Sequence, residues 1–142
     1  MLTSAAAVGI GRLQQPLMVV DDDTEIREVV EAVLVAEGYA VATASDGAEA
    51  LRQLRSGSRP CLILLDLRMP GMDGREFRER TVADPDLHDI PVVILSGDHE
   101  APQVAARLGT ECVMKPIDLE RLLALAARFC RRHRANEREP PV

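Results

Sequence analysis

Acidic residues at two points in this 142-residue chain, a serine at a third and a lysine at a fourth could do chemistry together. Asp21, Asp22 and Asp23 follow the apolar run Leu17-Met18-Val19-Val20, and Asp66 follows Cys61-Leu62-Ile63-Leu64-Leu65. Ser96-Gly97 follows Val92-Val93-Ile94-Leu95, and Lys115-Pro116 follows Glu111 to Met114. In an open parallel sheet, reactive groups gather at the carboxyl ends of the strands, beside the point where strand order reverses. With the first and third runs as neighbouring strands, about 4.8 Å apart, two or three carboxylates converge. Each close pair costs on the order of 4 kcal/mol at an effective dielectric of about 20. Such a cluster predicts a metal: a hard divalent cation such as Mg²⁺, held by one or two carboxylates, a backbone carbonyl and waters, with Lys115 as a further positive charge. A carboxylate so placed, with a hydroxyl opposite, can attack a phosphoryl group, because metal and ammonium neutralise the oxygens that repel an anionic nucleophile. Asp66 is the candidate nucleophile.

The elements that must position these groups show as short apolar runs alternating with stretches at helical spacing, the pattern of a parallel sheet wrapped by helices. Five strand–helix pairs result. After the first strand, Ile26, Val29, Val30, Val33 and Leu34 share one helical face, and Gly38 closes the helix. Residues 40–44 predict a second, edge strand, followed by Asp46 as N-cap and a helix through Arg55 that carries Ala48, Leu51 and Leu54 inward. The third run is apolar at every position, as a strand covered on both faces should be. A charged helix from about Asp73 to Ala83 offers little more than Phe77, Thr81 and Val82 to a core. The fourth strand at 92–95, a short helix from Ala101 to Leu108 and a fifth strand from Glu111 to Met114 follow. Asp118 caps a last helix with Leu119, Leu122, Leu123, Ala126 and Phe129 on one side. The expected organisation is a flexible extension over residues 1–15, one domain over 16–134 and a disordered tail over 135–142.

Composition narrows the function classes. Hydrophobic residues make up 46% and charged residues 28%, which excludes disordered, collagen-like and membrane-spanning chains. Aromatics at 2% remove the stacking platforms that single-stranded nucleic acid needs. With 17 Lys+Arg against 23 Asp+Glu, the net charge of −6 has the wrong sign for a phosphate backbone. Direct nucleic-acid and membrane partners are therefore not expected. Cys61, Cys112 and Cys130 lack the paired short spacings of zinc sites and redox dithiols, which predicts reduced core thiols. The N-terminus has no basic n-region, and Arg12 interrupts its small apolar run, so the expected location is the cytoplasm. His88, His99 and His133 have no acid or nucleophile at useful spacing, which argues against a phosphohistidine donor within the chain. Arg131, Arg132 and Arg134 complement the dipole of the last helix.

Four segments, VVDDDTEIRE at 19–28, LLDLRMPGMDG at 64–74, ILSG at 94–97 and VMKP at 113–116, stand in this order at strand ends. Together they closely resemble the receiver domain of bacterial two-component response regulators, over about Leu17 to His133. The resemblance implies a flavodoxin-like α/β fold, a doubly wound five-stranded parallel sheet of order 2-1-3-4-5 with five helices. It implies that Asp66 is the phosphoacceptor and a Mg²⁺ ligand, taking a phosphoryl group from the phosphohistidine of a sensor histidine kinase or histidine phosphotransfer protein. Asp21 and Asp22 match the family's acidic pair, Asp22 binding Mg²⁺ directly and Asp21 through water, and the backbone carbonyl of Arg68 completes the protein's share. Ser96 takes the position whose hydroxyl turns toward the phosphoryl group, Gly97 keeps the approach open, and Lys115 pairs with a phosphoryl oxygen. Pro116 stands where the family has a proline that redirects the chain. One departure is that Cys112 occupies the position, three before the lysine, where the family has Tyr or Phe, so the aromatic that swings inward is missing. The span from Ser96 to Lys115 is also about one helical turn short, which trims the fourth helix. Both departures bear on the face of the fourth helix, fifth strand and fifth helix, through which a downstream protein is expected to bind.

The plainer alternatives are a solvated Asp21–Asp23 turn and a calcium loop. The second fails because Ile26 stands where such a loop needs Gly, and Ala32 where it needs a glutamate. The expectation is a phosphoacceptor receiver, monomeric or weakly dimeric, that catalyses only its own Mg²⁺-dependent phosphorylation and dephosphorylation. It signals by binding a protein or by relay to a phosphotransfer protein. Arg68 and Asp98, near the path of an attacking water, are expected to tune hydrolysis. A phosphorylation-independent receiver-like binding module is the alternative, opposed by the complete set of Asp21, Asp22, Asp66, Ser96 and Lys115. A phosphohydrolase acting on external substrates needs a general acid two residues after the nucleophile, where Arg68 stands.

Overall fold

The computed structural model describes residues 15–132. Five strands, β1 (Leu17–Val20), β2 (Val41–Ala44), β3 (Leu62–Leu65), β4 (Val92–Ser96) and β5 (Glu111–Met114), form one parallel sheet of order β2-β1-β3-β4-β5. Each is followed by a helix: α1 (Thr24–Ala36), α2 (Gly47–Arg55), α3 (Gly74–Ala83), α4 (Ala101–Leu108) and α5 (Leu119–Phe129). The expected five-strand, five-helix doubly wound fold is therefore the fold observed.

Strand side chains alternate between two cores. Met18, Val20, Ile63, Leu65, Val92 and Ile94 face α2, α3 and α4, whose Leu51, Leu54, Phe77 and Ala105 complete one cluster. Leu17, Val19, Leu62, Leu64, Val93 and Leu95 face α1 and α5, meeting Val30, Leu34, Leu122 and Leu125. Both clusters are almost wholly aliphatic, as the scarcity of aromatics requires. Four helices start on an aspartate whose carboxylate accepts a backbone N–H of the first turn, namely Asp23, Asp46, Asp73 and Asp118. Such caps satisfy donors that have no partner within the helix.

Several side chains depart from the expected faces. Val29, Val82 and Leu119 are 55%, 49% and 46% exposed, because each lies on the flank of its helix and the sheet covers only a narrow stripe. Ala50 in α2 and Leu125 in α5 are buried instead. The cysteines are the larger correction. Cys61 and Cys130 are joined by a disulfide across 69 residues, with Cα atoms 5.4 Å apart, and only Cys112 is a free thiol. The start of β3 and the end of α5 meet at the amino end of the sheet, a proximity that linear spacing does not encode. Residues 1–14, His133, Arg134 and the tail over 135–142 lie outside the described residues.

Candidate functional site

Strand register assembles the site. Val20 pairs with Leu65, and the Asp66 N–H donates to the Val20 carbonyl at 2.9 Å, so the residues that leave β1 and β3 stand side by side. Ser96 ends β4, and the Lys115 N–H donates to its carbonyl at 2.9 Å. The order β2-β1-β3 places the crevice where strand order reverses, at the carboxyl ends of β1 and β3. Ligand oxygens of Asp21, Asp22 and Asp66 lie within 4.8 Å of one another. Lys115 reaches into this group, its Nζ 2.8 Å from Asp21 Oδ2 and 3.6 Å from Asp66 Oδ1. Asp21 is fixed from further sides: its Oδ1 accepts the Asp23 N–H at 2.9 Å, and its carbonyl accepts Arg27 Nη1 at 2.7 Å. The third aspartate serves α1 as its cap, which leaves Asp21 and Asp22 for the crevice.

Burial and like charge set the electrostatics. Asp21 and Asp66 are 1% and 6% exposed, whereas Asp22 is exposed. Desolvation, then repulsion from Asp21, pushes the Asp66 carboxyl up from 3.8 to about 6, against the pull of Lys115 and of the Arg68 backbone N–H. Three carboxylates around one ammonium leave an excess of negative charge held on hard oxygen donors. That donor set fits a Mg²⁺-type cation, and it is the one such group among the described residues.

The mouth of the crevice is framed by two loops. Arg68, after β3, donates to Asp98, after β4, through Nε at 2.9 Å and Nη2 at 2.6 Å. The Glu100 N–H and the Arg68 guanidinium hold the Asp98 carboxyl below its ordinary value. Ser96, 1% exposed, accepts the Asp98 N–H on its hydroxyl oxygen at 3.1 Å. An open cavity of about 550 Å³ lies over Asp66, Ser96, Gly97 and Lys115. A Cβ on Gly97 would meet only Lys115 Cβ, at 3.8 Å, so the room that Gly97 leaves belongs to the cavity above it. The Lys115–Pro116 peptide is cis.

Gly74 is a site residue that sequence reasoning missed. A Cβ there would lie 2.3 Å from the Asp66 carbonyl oxygen and 2.9 Å from Leu67 Cα. The first turn of α3 therefore packs directly on the backbone of Asp66, and the glycine directly after the N-cap Asp73 was the available signal. Arg27 was missed too, since its position on α1 gives no hint that it reaches a strand end. Cys112 is half-buried against the α4 side of the sheet, and burial pushes its thiol up.

Comparison with known proteins gives one consistent result. A family model for the response regulator receiver domain matches residues 17–127. The chain is 37% identical over 131 residues to the DNA-binding response regulator MtrA of Mycolicibacterium smegmatis, covering 90% of this chain and 54% of that protein. It is 35% identical over 124 residues to the response regulator MprA of a Mycobacterium species (strain KMS), covering 85% and 53%. The chain thus spans about half the length of the curated relatives it matches. Among solved structures, the chemotaxis response regulator CheY4 of Vibrio cholerae superposes with a TM-score of 0.73 at 31% identity, covering 82% of this chain and 98% of that one. The receiver domain of NtrX from Brucella abortus gives 0.70 at 30% identity, covering 80% and 96%.

Proposed function

Because this chain belongs to the response regulator receiver domain family, we propose that it is a Mg²⁺-dependent phosphoacceptor of a two-component or phosphorelay system, modified on Asp66. The observation that carries this reading is the Lys115 ammonium set between two buried carboxylates, 2.8 Å from Asp21 and 3.6 Å from Asp66. Ion pairing and strand register hold that arrangement without any external partner. The cation would be held by Asp21, Asp22, Asp66 and the backbone carbonyl of Arg68. When bound, Mg²⁺ supplies positive charge to the oxygens of the transferring group.

The chain's own residues do the rest. An Asp66 carboxylate oxygen forms a bond to phosphorus while the bond from phosphorus to the donor's imidazole nitrogen, or to an acyl oxygen, breaks, leaving an acyl phosphate on Asp66. Lys115 exchanges its carboxylate partners for a phosphoryl oxygen. Ser96 gives up the Asp98 N–H to turn its hydroxyl toward the same group. The donor is a sensor histidine kinase or a histidine phosphotransfer protein. A downstream protein reads the α4-β5-α5 face, with Cys112 in place of an aromatic readout, and the chain works in the cytoplasm as a monomer or weak homodimer. No helix among the described residues is long and apolar enough to cross a membrane. The activity is confined to the chain's own modification, since Arg68, paired to Asp98, stands where an external phosphohydrolase needs a general acid.

Intact-protein mass spectrometry after incubation with Mg²⁺ and acetyl phosphate tests the proposal. One added phosphoryl group is expected, absent from Asp66→Asn and from an EDTA control. An unmodified wild type, under quenching fast enough to trap an acyl phosphate, would favour a phosphorylation-independent binding module instead.

A further inference from the structure

The last helix is covalently tied to the sheet on the side away from the acidic cluster. Cys61 directly precedes β3, and Cys130 stands at the carboxyl cap of α5. The strand that begins beside Cys61 ends beside Asp66, roughly 16 Å away at about 3.3 Å per residue. The ring closed between residues 61 and 130 contains Asp66, Ser96 and Lys115, so the bond lies outside the crevice but on elements that carry it.

Three features distinguish this bond from a buried structural one. Each backbone is held independently of the sulfurs: the Cys61 N–H donates to the Pro16 carbonyl at 2.9 Å, and the Cys130 N–H to the Ala126 carbonyl at 2.8 Å. Neither of these hydrogen bonds needs the sulfurs to be joined. Both residues are half-buried rather than sealed in the core, so a small thiol can approach. Arg131 and Arg132 follow Cys130, and Arg59 lies two residues before Cys61; these cations flank the cysteines in sequence, and a cation that comes close to a sulfur favours its thiolate, the form that exchanges.

We propose that Cys61 and Cys130 form a reversible redox clamp that a small-molecule disulfide closes and a small thiol opens, locking the carboxyl-terminal turn of α5 to the sheet. In closing, one cysteine thiolate attacks the small disulfide, and the broken S–S bond releases one small thiolate. The second cysteine thiolate then attacks the mixed disulfide, forms the Cys61–Cys130 bond and releases the second small thiolate. The two protons lost by the protein thiols pass to the two released thiolates; the protein is oxidised and the small disulfide reduced. Once open, the end of α5 keeps the packing of Leu122, Leu125 and Ala126 and the exposed Arg132–Glu37 pair, but no covalent tie. The inference holds whether or not Asp66 accepts a phosphoryl group.

The test uses the full chain carrying Cys112→Ser, equilibrated with mixtures of oxidised and reduced glutathione under native conditions, then alkylated and weighed. A single transition is expected, from two alkylated thiols to none, with a cross-linked peptide joining residues 61 and 130. Amide exchange over 122–132 should quicken when the bond opens, and Cys130→Ser should show the fast exchange in every mixture. A bond that opens only after denaturation, thiols that stay alkylatable in oxidised glutathione, or exchange unchanged by opening would each overturn the clamp.

Discussion

At the residue scale, a single ammonium offsets three crowded carboxylates, and its removal makes a sharp test. Lys115→Ala leaves Asp21 and Asp66 facing each other without a counter-charge. The variant should lose thermal stability at neutral pH, and Mg²⁺ should raise its melting temperature by more than it raises that of the wild type. Equal Mg²⁺ shifts in a melting assay would mean that Lys115 does not oppose the metal. The raised Asp66 carboxyl adds a pH dependence whose sign follows from linkage. The folded protein holds this proton more tightly than the unfolded chain, since about 6 lies above 3.8. Its stabilising contribution is full below about pH 4 and is lost as pH rises through 6. Metal-free wild type should therefore show a downward step in melting temperature over that window, and Asp66→Asn should not. Asp98→Asn removes the pair that closes the crevice mouth and should shorten the acyl-phosphate half-life severalfold. Stability should hardly move, because a solvent-screened ion pair contributes little to folding; an unchanged half-life would remove Asp98 from the hydrolytic path.

At the scale of elements, α3 has two jobs that its charged sequence conceals. Phe77 and Thr81 anchor it to the sheet, and its first turn presses on the backbone of Asp66 through Gly74. Gly74→Ala forces the helix and Asp66 apart, since 2.3 Å from a backbone oxygen leaves no room for a methyl group. Overpacking of this kind costs about 1–3 kcal/mol, and the same displacement should slow phosphoryl uptake. A denaturation midpoint and an uptake rate equal to wild type would show that the helix does not brace Asp66. The Asp-capped helices of this fold also separate the three consecutive aspartates into roles. Asp23 satisfies α1, and only the two before it stay with the crevice.

At the scale of the whole molecule, the cross-link joins the beginning of a central strand to the end of the last helix. Closing a loop across 69 residues removes chain entropy from the unfolded state worth about 4 kcal/mol. Urea denaturation with and without reductant, on the Cys112→Ser background, should show a loss of that order. A midpoint unchanged by reduction would show that the bond adds nothing to the fold. The matched stretch covers just over half of the curated relatives' own length, and the end of α5, where the clamp sits, is the last described element.

The elements were legible because their signals are local. Apolar runs mark all five strands, and helical spacing, with an aspartate cap read at α2 and α5, marks the helices, each read within about a dozen residues. The strand-end placement of Asp21, Asp22, Asp66, Ser96 and Lys115 was legible as well, because each stands at or just past the end of an apolar run. The partners of these side chains were not. Cys61 meets Cys130, Arg68 meets Asp98, Gly74 meets the Asp66 backbone and Arg27 meets the Asp21 carbonyl only after the sheet has brought separate strand ends together. Periodicity tells which way a side chain points on its own element, and not what the neighbouring element places opposite; for the same reason Val29 and Leu119 follow an apolar pattern yet end on an uncovered flank.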